Sequence, residues 1–121
     1  MSQASDPVLV ARDDRGVYTL TLNRPDAFNA LSEGMLDALQ SALHRVADDP
    51  QARVTVIGAA GKAFCAGHDL KEMRAEPSMG YYERLFAHCA RMMLSIQKLP
   101  VPVIARVHGT ATAAGCQLVA M

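Results

Sequence analysis

Two stretches of this sequence leave few folds open. Val54-Thr55-Val56-Ile57 is a β-branched run, and residues 58–67 after it are rich in Gly and Ala. A second apolar run, residues 101–107, leads into Gly109-Thr110-Ala111-Thr112-Ala113-Ala114-Gly115. β-Branched runs of this length suit buried strands, and small residues let the backbone turn tightly after them. A helix is predicted to open after each turn, the first capped by Asp69 with Glu72 at capping-box spacing, the second beginning at Cys116. Strands alternating with helices specify an α/β unit with parallel pairing.

The remaining chain fits that frame. Residues 7–12 and 17–22 alternate apolar and polar around Asp13-Asp14-Arg15-Gly16, which predicts a β-hairpin. Asn23-Arg24-Pro25-Asp26 reads as a turn. Met35, Leu36, Leu39, Leu43 and Val46 recur at helical spacing behind Ser32 as N-cap, and Asp48-Asp49-Pro50 ends that helix. Leu85, Cys89, Met92, Met93 and Ile96 give a second helical face over residues 81–99, stopped by Pro100 and Pro102. The methionines at this spacing read as core.

A chain of 121 residues is sized for one domain. Twelve basic and twelve acidic residues cancel, so nothing in the charge favours nucleic acid or an anionic membrane as partner. Cys65, Cys89 and Cys116 are odd in number and lack CxxC spacing, which fits a reducing compartment without disulfides. Residues 1–7 carry neither a basic nor an apolar leader segment, and no apolar run is long enough to span a bilayer. The expectation is a cytoplasmic protein. His44, His68, His88 and His108 include no pair at HExxH spacing, so no metal is expected.

The chemistry rests on the two small-residue turns. Strand-to-helix turns can present backbone N–H groups where the helix N-terminus adds positive partial charge. Two of them facing each other would polarise one carbonyl oxygen, an arrangement worth about 10²–10³ in rate per donor. Tight turns and close packing explain the same glycines and alanines, and no Gly-Lys-Ser/Thr triplet supports a phosphate loop.

Asn23-Arg24-Pro25 with Ala27-Phe28-Asn29-Ala30-Leu31, then Ala63-Phe64-Cys65-Ala66-Gly67-His68-Asp69-Leu70, then residues 109–118, occur in one order. In this the chain resembles the enoyl-CoA hydratase/isomerase (crotonase) family, from about Val8 onward. The resemblance implies a partial ClpP/crotonase-like spiral of ββα units, with residues 1–121 as the N-terminal part of one domain truncated before its C-terminal half. It implies an acyl-CoA or enoyl-CoA substrate, coenzyme A entering as part of that substrate, and a homo-oligomer, trimeric or hexameric. The backbone N–H groups of His68 and Ala114 would then form the oxyanion hole, Ala114 standing where most relatives have glycine. Ala27, Phe28, Ala66, Asp69, Leu70 and Lys71 would cradle coenzyme A. Arg24 and Lys71 are phosphate candidates or solvated surface charges.

Gln117 departs from the family. Hydratases usually carry glutamate here, paired with a second glutamate that would fall beyond Met121. Glutamine cannot accept a proton as a general base and keeps only its hydrogen bonds. Gly-His-Asp-Leu together with Ala-Ala-Gly-Cys-Gln is similar to enoyl-CoA hydratase domain-containing proteins. His68 titrates near neutrality when unperturbed; it is a catalytic candidate, a pocket-lining side chain, or a residue acting through its N–H alone. Two functions remain open: a crotonase-type enzyme poorly active by itself, and a non-catalytic acyl-CoA-binding or assembly module. A Clp-type serine peptidase is disfavoured because Ala113, Ala114 and Gly115 occupy the place where its nucleophile would stand.

Overall fold

The computed structural model describes residues 6–121, and residues 1–5 of the segment read for a leader lie outside them. Strands β1 (Val8–Arg12) and β2 (Val17–Leu22) form the expected hairpin, paired antiparallel with Val8 opposite Leu22. Gly16 closes the turn at φ +84, a conformation that side chains with a β-carbon rarely adopt. Helix α1 (Glu33–Ala47) then crosses to β3 (Val54–Ala59), which lies parallel to β2. Helices α2 (Leu70–Ala75) and α3 (Met79–Lys98) cross to β4 (Val103–Ala105), parallel to β3. The sheet order is β1-β2-β3-β4, and α4 (Ala114–Ala120) follows β4.

Period-two burial along β2 turns Tyr18, Leu20 and Leu22 inward. Against them α1 lays Met35, Leu36, Leu39, Leu43 and Val46, all without solvent exposure. Helix α3 adds Leu85, Met92, Met93 and Ile96 to the same core. The Ser32 hydroxyl accepts from the Met35 N–H at 3.1 Å and caps α1 as anticipated. Asp69 Oδ1 accepts from the Lys71 and Glu72 N–H groups and caps α2.

Three expectations change. Glu72 does not complete a capping box with Asp69; its carboxylate reaches across to the Glu33 N–H at 2.9 Å and so joins the starts of α1 and α2. Residues 101–107 yield only a three-residue strand that is not buried, with Ile104 53% exposed. Pro100 and Pro102 lack the N–H a ladder needs, and β4 is the edge of the sheet. The helix predicted from Cys116 opens two residues earlier, at Ala114.

Past the end of α1, Asp49 ties the helix back to the hairpin. It accepts from the Tyr18 hydroxyl at 2.7 Å and pairs with Arg12 Nε at 3.0 Å. The Tyr18 hydrogen bond, backed by the Gln51 N–H and Arg12, lowers the Asp49 pKa from the usual carboxylate value. A carboxylate with a depressed folded pKa stabilises fully above its unfolded pKa and loses that contribution as pH falls through the folded value. Tyr18→Phe removes the main cause of the shift. The acid-unfolding midpoint of that variant, followed by circular dichroism, is therefore expected at higher pH than the parent's, and an unchanged midpoint would count against this coupling.

Candidate functional site

The segment between β3 and α2 is held from both sides by backbone hydrogen bonds. On one side Leu31 N–H donates to the Gly67 carbonyl at 2.6 Å and Ala66 N–H to the Phe28 carbonyl at 3.1 Å. On the other, Phe64 and Cys65 N–H donate to the Thr110 carbonyl, and Thr112 N–H donates to the Cys65 carbonyl. Leu31 and His68 form one parallel bridge, Cys65 and Ala111 another. The motif segments read separately in the sequence thus meet as three neighbouring strips of backbone.

Buried Asn29 fixes the first strip. It sits at φ 54 in the left-handed region, which asparagine tolerates better than most residues. Its side-chain oxygen accepts from the Arg24 N–H, and its amide donates to the Ala60 and Ala63 carbonyls. Glycines make the second approach possible. A β-carbon at 109 would overlap the Lys62 carbonyl, and one at 115 would overlap the Cys65 carbonyl. At Gly67, φ +91, an added β-carbon would stand 3.1 Å from the Ala113 β-carbon and 3.2 Å from Ala114 N. The two turns therefore touch at Gly67 and residues 113–114.

Ala113 has φ 51 and ψ −124, unusual for a residue with a β-carbon. Such backbone costs on the order of 1–3 kcal/mol and persists only where its surroundings enforce it. The following peptide carries the Ala114 N–H, the first of α4. Among the described residues, neither the His68 nor the Ala114 N–H is taken up by a carbonyl of this chain.

Around this point lie exposed apolar side chains: Phe28 at 57%, Leu70 at 65% and Phe86 at 47%. Phe86, from α3, meets the His68 ring edge-on at 5.1 Å. His68 itself is partly buried, and Nδ1 is enclosed without a hydrogen-bond partner. Burial lowers the His68 pKa, opposed by the Leu31 backbone. Ala27, Ala66 and Lys71 are exposed along the same rim, and the Lys71 ammonium makes no ion pair among the described residues. Arg24 donates from Nη1 to the Asn23 carbonyl. Gln117 is exposed one turn along α4.

The other candidates fall elsewhere. Cys65 is buried and its thiol pKa is raised by desolvation, so it stays protonated; Cys116 is exposed. His108 Nε2 lies 2.6 Å from the Gly61 carbonyl and braces the first turn. His44 and His88 line a groove of about 380 Å³ between α1 and α3 that shares no residue with the two turns. Among the described residues no three His, Cys, Asp or Glu gather where a metal would bind, and no helix is long and apolar enough to cross a membrane. Sequence reasoning missed Asn29, Ala113 and Phe86, and only the asparagine before a helix cap carried any local signal.

Gly115→Ala drives a methyl into the Cys65 carbonyl and must push the turns apart. A loss of about 2–3 kcal/mol by chemical denaturation is expected, and a wild-type midpoint would show that the turns are not in contact.

Comparison with known proteins agrees with this geometry. The enoyl-CoA hydratase/isomerase family profile matches residues 12–121. A crystal structure of enoyl-CoA hydratase from Mycobacterium smegmatis superposes with a TM-score of 0.93 at 69% identity, covering 94% of this chain and 44% of that one. Enoyl-CoA hydratase domain-containing protein 3, mitochondrial, is 48% identical in Xenopus laevis over 94% of this chain and 39% of that protein. Its human counterpart is 46% identical over 91% of this chain and 36% of that protein. The chain thus spans about two fifths of the length of the curated relatives it matches. Their mitochondrial names overturn the expectation of a cytoplasmic protein. A missing leader pattern is weak evidence of compartment, because it weighs a few N-terminal side chains only. The α/β architecture and the order of the motifs are those of the crotonase fold, and the chain belongs to the enoyl-CoA hydratase/isomerase family.

Proposed function

We propose that this chain binds acyl-CoA thioesters and stabilises their enolates through the His68 and Ala114 N–H groups. The observation that supports the reading is the contact of Gly67, the neighbour of His68, with Ala113 and Ala114, beside two N–H groups that no carbonyl among the described residues takes up. Preorganised donors of this kind act on oxygen charge as it develops, without reorganisation at the moment of reaction. Both act through backbone, so neither needs a particular side chain. The apolar rim of Phe28, Leu70 and Phe86 would take the pantetheine and acyl chains. Ala27, Ala66, Asp69 and Lys71 complete the coenzyme A cradle, Lys71 with an ammonium available for phosphate.

Hydration is the less favoured reaction of the family for this chain. Gln117 offers no carboxylate to activate water, and it points to solvent. Acetoacetyl-CoA tests the reading directly, because an oxyanion hole favours its enolate over its keto form. The enolate absorption band should grow on binding, while the conjugated absorbance of crotonyl-CoA persists. Saturable binding of acetoacetyl-CoA with no enolate band would instead favour a non-catalytic binding or assembly module.

We further propose that the chain associates with itself. Strand β4 is an open sheet edge, and Ile104, Val107 and Val119 beside it are exposed. Unpaired edges and apolar patches of this kind are covered by association. Light scattering of the 121-residue chain should give a mass above that of one copy at micromolar concentration, and a strictly monomeric species would end this proposal.

A further inference from the structure

Away from the two turns, α1 and α3 enclose between them a groove of about 380 Å³, a volume that suits a small molecule. Its floor is fixed by hydrogen bonds across the helix pair. Gln40 on α1 donates from its amide to the Ser95 hydroxyl on α3 at 2.7 Å, and that hydroxyl donates to the Arg91 carbonyl at 2.9 Å. The Gln40 amide nitrogen also lies 3.1 Å from His44 Nε2.

Formal charge along the groove is of one sign. Arg91 and Lys98 line it together with His44 and His88, and no carboxylate of the described residues does. Asp37 is turned to His88 Nε2 at 3.1 Å. Neither Arg91 nor Lys98 makes an ion pair among the described residues. A cleft lined by one sign of charge focuses its field on counter-ions.

The positions on α3 also set a length. Leu94, Ser95 and Lys98 follow Arg91 by three, four and seven residues and so share one strip of the helix. Seven residues of helix separate the anchor points of the two cations by about 10 Å. The exposed side chain of Leu94 stands between them. Beyond Arg91 the groove runs into a hollow of about 370 Å³ bordered by Glu33 and Glu83, which repel an anion. Beyond Lys98 it runs into one of about 210 Å³ bordered by Leu43, Ala47 and Leu99. An anionic ligand is thus confined to the stretch from Arg91 to Lys98.

We propose that this groove binds an elongated dianion, a medium-chain α,ω-dicarboxylate, with one carboxylate on Arg91, the other on Lys98 and the chain over Leu94. The Arg91 guanidinium can give a carboxylate two parallel N–H bonds, and the Lys98 ammonium offers three donors. The site shares no residue with the two turns and does not depend on the thioester reading.

The test is a titration of the isotope-labelled chain with suberate, followed by nuclear magnetic resonance. Saturable shifts should appear at millimolar suberate in the backbone signals of residues 40–44 and 91–98, and not in those of 66–71. Malonate keeps both charges but is too short to span the cations, and octanoate keeps the chain but loses one charge. Each should bind at least about tenfold more weakly, as should suberate to Arg91→Gln and to Lys98→Gln. Both substituted side chains are exposed, so the spectrum outside the groove should stay that of the parent. No saturable shift with suberate, shifts centred on 66–71, or equal affinity for malonate or octanoate overturns the proposal. So does undiminished suberate binding in the two variants.

Discussion

The backbone ladder through residues 64–68 is the constraint on which the rest of this structure depends. Its hydrogen bonds to the 28–31 strip on one side and the 110–112 strip on the other join parts of the chain about forty residues apart. Buried backbone groups must be paired somewhere, and here pairing them fixes the site. Remove either flank and the His68 N–H no longer has a defined position relative to Ala114. The hydrophobic core under α1 and α3 serves this arrangement by fixing where β3 ends and where α2 begins.

Local conformations that cost free energy are concentrated at the same place. Phe28, Asn29 and Ala113 are the non-glycine residues at positive φ among those described, and all three border the ladder. Asn29 offsets its conformation with three hydrogen bonds to the Arg24 N–H and the Ala60 and Ala63 carbonyls. Ala113 has no comparable partner, and its strain orients the peptide that carries the Ala114 N–H. Such strain persists only where the surrounding structure enforces it.

Gln117 on α4 is exposed, and His68 in the first turn is partly buried. Glutamine keeps shape and hydrogen bonding while discarding the charge. Burial of the His68 ring lowers its pKa, because desolvation disfavours the charged imidazolium.

Much of the fold was legible in the sequence, because its determinants are local. Alternation at 17–22, the helical spacing from Met35 to Val46 and the Ser32 and Asp69 caps each act within a few residues, and the structure has them where they were read. The residue types at the two turns, and their order along the chain, were equally plain and carried the family. Only tertiary structure could decide that the Glu72 carboxylate bonds to the start of α1 instead of to the Asp69 N–H, that β4 is a three-residue exposed edge, and that Phe86 stands against His68. Those outcomes depend on which distant segment arrives beside each residue. The amino-acid sequence states which backbone turns are possible, and the packing of α1 and α3 on the sheet determines which of them meet.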